Sequence, residues 1–165
     1  RYEGFGPGGV GVIVECSTDN KNRTAGDVRS TFGKNGGNLG ETGSVSFGFD
    51  QVGEIVFERA VGDEESVMEA AIEAGATDVE VEEEVYVIYT ERDDFMEVAG
   101  NLDAAFPDHE AKSTKLVWKP QNYIEIDGDP ALTLIKLIDA LEDLDDVQNV
   151  YHSGDISEEA LEAAE

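Results

Sequence analysis

Several kinds of residue and segment are scarce in this chain, and each scarcity excludes a class of protein. The single cysteine, Cys16, excludes an intramolecular disulfide and any zinc site built from several cysteines. No apolar run approaches the roughly 18 residues of a membrane helix, and the N-terminus carries no secretory or transit segment. We therefore expect a soluble cytoplasmic protein. Because the chain begins at Arg1 without Met, we also expect an upstream part to be missing.

Basic residues are scarce as well, and their distribution is uneven. The chain has 11 basic and 38 acidic residues, for a net charge of -27. Residues 1–52 hold five basic and six acidic residues, so nearly all of the negative charge lies beyond residue 52. Most of the molecule would repel nucleic acid. Any contact with phosphates is expected in the N-terminal part, over distances within a Debye length of about 8 Å.

Glycine, by contrast, is abundant at the N-terminus. Eleven of the first 43 residues are glycine, concentrated in residues 4–11 and 36–43, on either side of the polar stretch 18–24. Glycines in such runs keep the backbone bare, either for close packing or for the approach of a ligand. Residues 18–24 are therefore the first place to look for function.

The N-terminal pattern predicts a β-α-β segment. Residues 10–16 alternate as a half-buried strand with Val12, Val14 and Cys16 on the core face. Thr24 with Asp27 predicts the N-terminal cap of a helix that ends after residue 34, and residues 44–50 alternate as a second strand.

The rest of the chain predicts a second domain inserted into the first. From residue 53 the order is strand, helix, two strands, helix and strand (54–58, 64–74, 78–82, 85–90, 93–106, 113–119), the ferredoxin-like βαββαβ arrangement. An extended segment (123–126), an apolar helix (131–141) and a strand (147–152) follow. The predicted fold class is α+β, with two small α/β sandwich domains. The first comprises 1–52 and 120–157, the ferredoxin-like insertion comprises 53–119, and 158–165 is an acidic tail, frayed or disordered.

Chemistry that needs a catalytic or metal site finds little support. The first glycine run precedes a strand and lacks the Gly-Lys-Ser/Thr of a phosphate-binding loop. Asp127 and Asp129 lack the other ligands of a calcium loop, and His109 and His152 stand in no recognisable triad context. We expect a non-enzymatic protein with no cofactor and no metal.

Six segments of this chain together form one pattern: YEGFGPGGV at 2–10, TDNKNRT at 18–24, GGNLG at 36–40, GSV at 43–45, EAAIEAGA at 69–76 and LEDLDDVQNVYH at 141–152. As a set they closely resemble the YebC family, whose mitochondrial member is the translational activator of cytochrome c oxidase. The resemblance implies three domains, of which this chain holds the second and third and lacks the N-terminal basic helical one. It also implies a regulator of gene expression, described both as DNA-binding and as ribosome-associated, and a mitochondrial location for an organelle member.

These observations give one leading hypothesis and two alternatives. The leading one is a DNA-binding transcriptional regulator, and the first alternative is a ribosome-associated translation factor that relieves stalling at proline-rich stretches. Promoter DNA, or ribosomal RNA on the ribosome, would be the partner, bound largely through the missing domain. The expected contact residues within this chain are Gly6, Gly8, Gly9, Asn20, Lys21, Asn22, Arg23, Arg29 and Lys34. In the second alternative the acidic insertion binds a basic protein.

Overall fold

Ten strands and five α-helices make up the fold, and the computed structural model describes all residues, Arg1–Glu165. In chain order they are β1 (Tyr2–Phe5), β2 (Gly11–Cys16), α1 (Lys21–Lys34), β3 (Asn38–Leu39), β4 (Phe49–Glu58), α2 (Glu64–Ala74), β5 (Asp78–Val81), β6 (Val85–Glu91), α3 (Phe95–Ala105), β7 (Ser113–Pro120), β8 (Ile124–Ile126), α4 (Gly128–Glu142), β9 (Val147–His152), β10 (Gly154–Ile156) and α5 (Glu158–Ala163). The helices are too short, or too polar, for any of them to span a membrane.

The chain divides into two compact units. Unit 1 comprises Arg1–Asp50 and Trp118–Glu165, and unit 2 comprises Gln51–Val117. The sequence placed these boundaries after residues 52 and 119. The fold is α+β, as the sequence predicted.

Unit 1 is built on an antiparallel sheet in the order β3-β1-β2-β9, with β8 and β10 as a separate parallel pair. Apolar side chains of α1 and α4 pack with one face of β2; they include Phe32 and Leu134, next to Val12 and Val14. Ile13 is fully buried on the opposite face, in a second cluster. The prediction of a half-buried β2 was therefore wrong, because both faces of this strand are covered.

The first glycine run overlaps strand β1, which the sequence pattern did not predict. Gly4 lies within β1, and a Cβ there would sit 2.7 Å from Phe32 Cε1 and 2.7 Å from the Asn38 carbonyl oxygen. Gly37 is equally restricted, since its Cβ would lie 2.6 Å from the Phe5 carbonyl oxygen. Contacts this short exclude any side chain, so these glycines serve close packing between β1, β3 and α1.

Unit 2 has the sheet order β5-β6-β4-β7, with β6 antiparallel to both β4 and β5. This is the strand order of the ferredoxin-like fold that the sequence predicted. The core lies between the sheet and helices α2 and α3 and includes Ile55, Phe57, Tyr86 and Leu102. Met68, Ile72 and Met96 of these two helices are exposed.

Three local predictions in unit 1 differ from the structure. Residues 44–48 form turns instead of a strand, and β4 starts only at Phe49. Helix α1 begins three residues before Thr24, at Lys21. The acidic tail forms helix α5, which Ser157 caps and from which Ala160 is buried in the unit 1 core.

Candidate nucleic-acid interface

Asn20 fixes the start of α1. Its side-chain Oδ1 accepts the Arg23 backbone N–H at 3.1 Å, and its own N–H donates to Thr18 Oγ1 at 3.0 Å. Asparagine is among the residues that best cap a helix N-terminus, because its oxygen satisfies an N–H that the helix leaves free. The Asn20 oxygen, expected to contact nucleic acid, is therefore committed to the helix cap.

Arg23 is also occupied within the protein. Its Nη2 lies 3.1 Å from Asp146 Oδ2 and 3.5 Å from Asp19 Oδ1. Asp146 accepts a hydrogen bond from Thr24 Oγ1 at 2.7 Å, and this bond and the Arg23 guanidinium hold the pKa of Asp146 below its ordinary value. The charge of Arg23 is therefore offset, and a phosphate would have to compete with Asp146 for it.

Three other predicted cations remain unpaired. Lys21, Arg29 and Lys34 are exposed and form no salt bridge. Asn22 is exposed too, and lies seven residues before Arg29, on the same side of the helix. We call the exposed side chains of Lys21, Asn22, Arg29 and Lys34 together the cationic face of α1, in which Lys34 is rotated about 140° around the helix from Arg29.

Two glycines lie between the side chains of this face. Gly26 and Gly33 are exposed, and a Cβ built on either would meet no atom within 4 Å. Neither glycine is needed for packing or for an unusual backbone angle, since both lie inside a regular helix. Each costs about 1 kcal/mol of helix stability relative to alanine. Their effect is to leave the helix backbone open to close approach from outside.

The loop of residues 7–9 lies near the other end of α1. A Cβ on Gly36, two residues after Lys34, would lie 3.5 Å from Pro7 Cγ. Gly8 and Gly9 are exposed with φ of 75° and 81°, a left-handed conformation that favours glycine. The 14 residues of α1 separate this loop from Asn20 by about 20 Å. The exposed predicted residues thus lie along α1 and on the loop near its C-terminal end, and they do not converge on a pocket.

Gly6 does not belong to this surface. It is buried, and a Cβ there would lie 3.0 Å from Leu134 Cδ1 and 3.3 Å from Leu137 Cδ2. Burial leaves Gly6 no surface with which to contact nucleic acid. The expectation of a contact at Gly6 was wrong, and packing against α4 explains the glycine.

The cleft beside the N-terminal end of α1 is acidic. It has a volume of about 420 Å³ and is lined by Arg23, Thr24, Asp27, Asp143, Leu144, Asp145, Asp146 and Val147. Four carboxylates against one paired guanidinium would repel a phosphate group. No three or more His, Cys, Asp or Glu side chains come together as a cluster able to hold a metal ion.

Two residues that organise unit 1 were missed in the sequence. Asp146 is 122 residues from Thr24, so no local pattern signals their hydrogen bond. Glu3 is buried and accepts N–H groups from Gly43, Val45 and Ser46. An acidic residue inside a glycine-rich strand segment was the only available sign of its role.

The chain has a two-unit α+β fold in which a ferredoxin-like unit is inserted in the sequence of a glycine-rich unit, and known proteins share this arrangement. The family model for the second and third domain of TACO1/YebC matches residues 1–154. The chain therefore belongs to the TACO1/YebC family.

Two relatives show how much of a longer protein this chain represents. A protein of Maricaulis maris (strain MCS10), named a probable transcriptional regulatory protein, is 61% identical over 167 residues, which cover 98% of this chain and 65% of the relative. A conserved hypothetical protein from Aquifex aeolicus, solved as a crystal structure, is 44% identical with a TM-score of 0.88 over 95% of this chain and 64% of that one. The chain thus spans just under two thirds of the length of both relatives.

Proposed function

We propose that this chain is the nucleic-acid-contacting part of a regulator of gene expression, and that its target is RNA in a structured assembly such as the ribosome. The cationic face of α1 is the observation that carries the proposal. In a chain with a net charge of -27, Lys21, Arg29 and Lys34 lie on one helix and none of them has an acidic partner. Unpaired cations on an exposed helix provide the charge that phosphate contacts require.

The bare glycines favour RNA as the target. Gly26 and Gly33 let a ligand's backbone approach α1, and the exposed loop at Gly8 and Gly9 offers backbone atoms near its far end. Recognition of structured RNA relies on shape and on backbone contacts, for which open peptide surface is suited. Three phosphate contacts would give a log-log salt slope of only about -2 to -3, so this chain binds weakly alone. In the proposal, further contacts come from a basic helical domain outside this chain.

Duplex DNA is the second candidate. The relative named a probable transcriptional regulatory protein favours it. So does the pairing of Asn22 and Arg29 on one exposed side of α1, because both side chains can donate hydrogen bonds to base edges in a major groove. In either case we propose a binding function without catalysis or cofactor, in the cytoplasm or in a mitochondrion.

Unit 2 suggests a further partner. It holds 19 acidic and four basic residues, and none of its charged side chains is buried. A surface of this sign favours association with a basic protein, such as a ribosomal protein, through long-range attraction that salt would weaken.

A binding comparison at matched salt tests the main proposal. Sedimentation with ribosomes and a mobility shift with duplex DNA are measured for the chain and for the triple variant Lys21→Glu/Arg29→Glu/Lys34→Glu. The triple variant is expected to lose sedimentation with ribosomes, because the cationic face becomes acidic. The control, Arg92→Glu/Lys112→Glu/Lys115→Glu, changes the net charge of the protein equally within unit 2 and is expected to bind as the wild type does.

The outcomes separate the two targets. If the triple variant no longer sediments with ribosomes while the control variant still does, the result supports RNA as the target. If the wild type shifts duplex DNA and does not sediment with ribosomes, the result supports the transcriptional function. Equal binding by wild type and triple variant rejects the cationic face of α1. Asp146→Asn provides a gain of function, because it removes the charge of the nearer of the two carboxylates paired with Arg23 and should steepen the salt slope by up to about 1.

A further inference from the structure

Phe47 is the most exposed large apolar side chain of the protein. It lies on the single helical turn Ser46–Gly48 and is 81% exposed, although Val45 and Phe49 on either side of the turn are buried. The two buried neighbours pack beside Ile13 in the second cluster of unit 1. The turn thus anchors itself on both sides and directs Phe47 to the surface.

The turn that carries Phe47 is held on its N-terminal side by a buried carboxylate. Glu3 accepts the N–H groups of Gly43, Val45 and Ser46 at 2.8, 3.1 and 2.6 Å. Charge-assisted hydrogen bonds of this kind are the strong ones, and three of them converge on one side chain. The loop before Phe47 is therefore fixed by contacts that do not involve its ring.

Gln121 holds the C-terminal side of the same turn. Its backbone N–H donates to the Gly48 carbonyl at 2.9 Å, and its side-chain amide lies 3.4 Å from the Phe47 carbonyl and 3.2 Å from Asp50 Oδ1. A backbone fixed on both sides lowers the entropy that Phe47 loses when a ligand covers it. The backbone that carries the Phe47 ring is therefore already fixed before a ligand binds.

The surroundings of Phe47 are small and polar. Ser46 and Gly48 flank it, and a Cβ on Gly48 would meet nothing within 4 Å. Gln121 bonds to its carbonyl, and the exposed Asn122 follows. Aromatic anchors of protein interfaces are normally surrounded by other contacts that exclude water. A lone ring among amide and hydroxyl groups instead fits an unpaired nucleobase, which stacks on the ring and offers its edges for hydrogen bonds.

We propose that Phe47 is a stacking site for an unpaired nucleobase of RNA. The inference rests on the proposed function, since it names the part of the RNA that unit 1 would recognise. The flat face of a base carries no charge, so the overall acidity of the chain does not oppose this contact as it opposes phosphate binding.

The experiment uses the complete chain and three RNA probes: a single strand of mixed sequence, the same strand annealed to its complement, and an abasic strand of equal length. Phe47→Ala is expected to raise the Kd for the mixed single strand roughly 5- to 150-fold, the range for loss of one base–aromatic stack. The duplex and the abasic strand are expected to bind as they do to wild type. Met96→Ala is the matched control, because Met96 is 78% exposed but lies in unit 2.

Phe47→Trp supplies a second readout. Its affinity should match wild type, and its added indole fluorescence should be quenched by the single strand and unaffected by the abasic strand. Wild type provides the baseline, because Trp118 is its only tryptophan.

Three results would overturn the inference. If Phe47→Ala binds the single strand as wild type does while the triple variant of α1 loses binding, stacking is rejected and the proposed function stands. If Phe47→Ala loses ribosome sedimentation without losing single-strand binding, the ring contacts a ribosomal protein. If wild type binds none of the RNA probes or ribosomes, both proposals fail.

Discussion

The two units of this protein use charge in different ways. Unit 1 contains Glu3, the only charged side chain in the protein that is buried, and the partly buried Asp146 that joins α1 to the segment before β9. In unit 2 the 19 acidic residues all lie at the surface, and the core is apolar. Unit 1 therefore combines an apolar core with specific hydrogen bonds to carboxylates, whereas the core of unit 2 is held by apolar packing. Lowering the pH should therefore destabilise unit 1 selectively, and a change of side-chain volume in the core of unit 2 should destabilise unit 2 selectively.

Replacement of Glu3 is expected to have the largest effect. Burial raises the pKa of Glu3, but the N–H groups of Gly43, Ser46 and Val45 outweigh burial and lower the pKa from 4.5 to about 2. Because the folded state favours the carboxylate, its contribution is complete above pH 4.5 and is lost as the pH falls through 2. A shift of this size corresponds to about 3 kcal/mol.

Glu3→Gln should therefore destabilise unit 1 by about 3 kcal/mol at neutral pH and remove the wild type's loss of stability between pH 4.5 and 2. Urea unfolding followed by Trp118 fluorescence reports on unit 1, since Trp118 packs beside Ile13. Glu41→Gln is the control, because Glu41 is exposed in the same loop. Unfolding of Glu3→Gln and wild type at the same urea concentration would disprove the role of the buried carboxylate.

Gly53→Ala tests the dependence of unit 2 on packing. A Cβ on Gly53 would overlap Thr90 Oγ1 and the Phe95 ring. Forcing a methyl group into such a site costs about 1–3 kcal/mol. Hydrogen exchange should accelerate in β6 and α3 and remain unchanged in β2. Gly100→Ala is the control, since a Cβ there meets no atom within 4 Å, and equal exchange in the two variants would contradict the prediction.

The same contrast explains which parts of the fold the sequence predicted. The predicted limits of α2 match Glu64–Ala74, because its signals are local: Asp63 caps its start and Gly75 ends it in a left-handed conformation. In α1 the Thr24 hydroxyl was mistaken for a cap. Thr24 instead bonds to Asp146, and the cap is Asn20. A hydrogen bond between residues far apart in sequence produces no periodic pattern along the chain, so more of the predictions for unit 1 were wrong.

The candidate site was predicted in part for the same reason. Exposure and charge are local properties, and Lys21, Arg29 and Lys34 are exposed and unpaired. The neutralisation of Arg23 and the exposure of Phe47 depend on residues more than 40 positions away, Asp146 and Glu3. The alternation of residues 44–50 predicted a strand, whereas the structure has a turn at Ser46–Gly48, and Glu3 accepts hydrogen bonds from the N–H groups just before it.

Gly26→Ala should have the smallest effect on stability and the most direct bearing on function. Because Gly26 lies inside α1 with space around it, alanine should stabilise unit 1 by up to about 1 kcal/mol. If the bare backbone admits RNA, the same methyl group should weaken RNA binding although the protein is more stable. Gly100→Ala in α3 should bring a similar gain in stability and leave binding unchanged. Tighter or equal RNA binding by Gly26→Ala would show that the glycines of α1 do not serve close approach, and would leave Lys21, Arg29 and Lys34 as the whole of the interface on this helix.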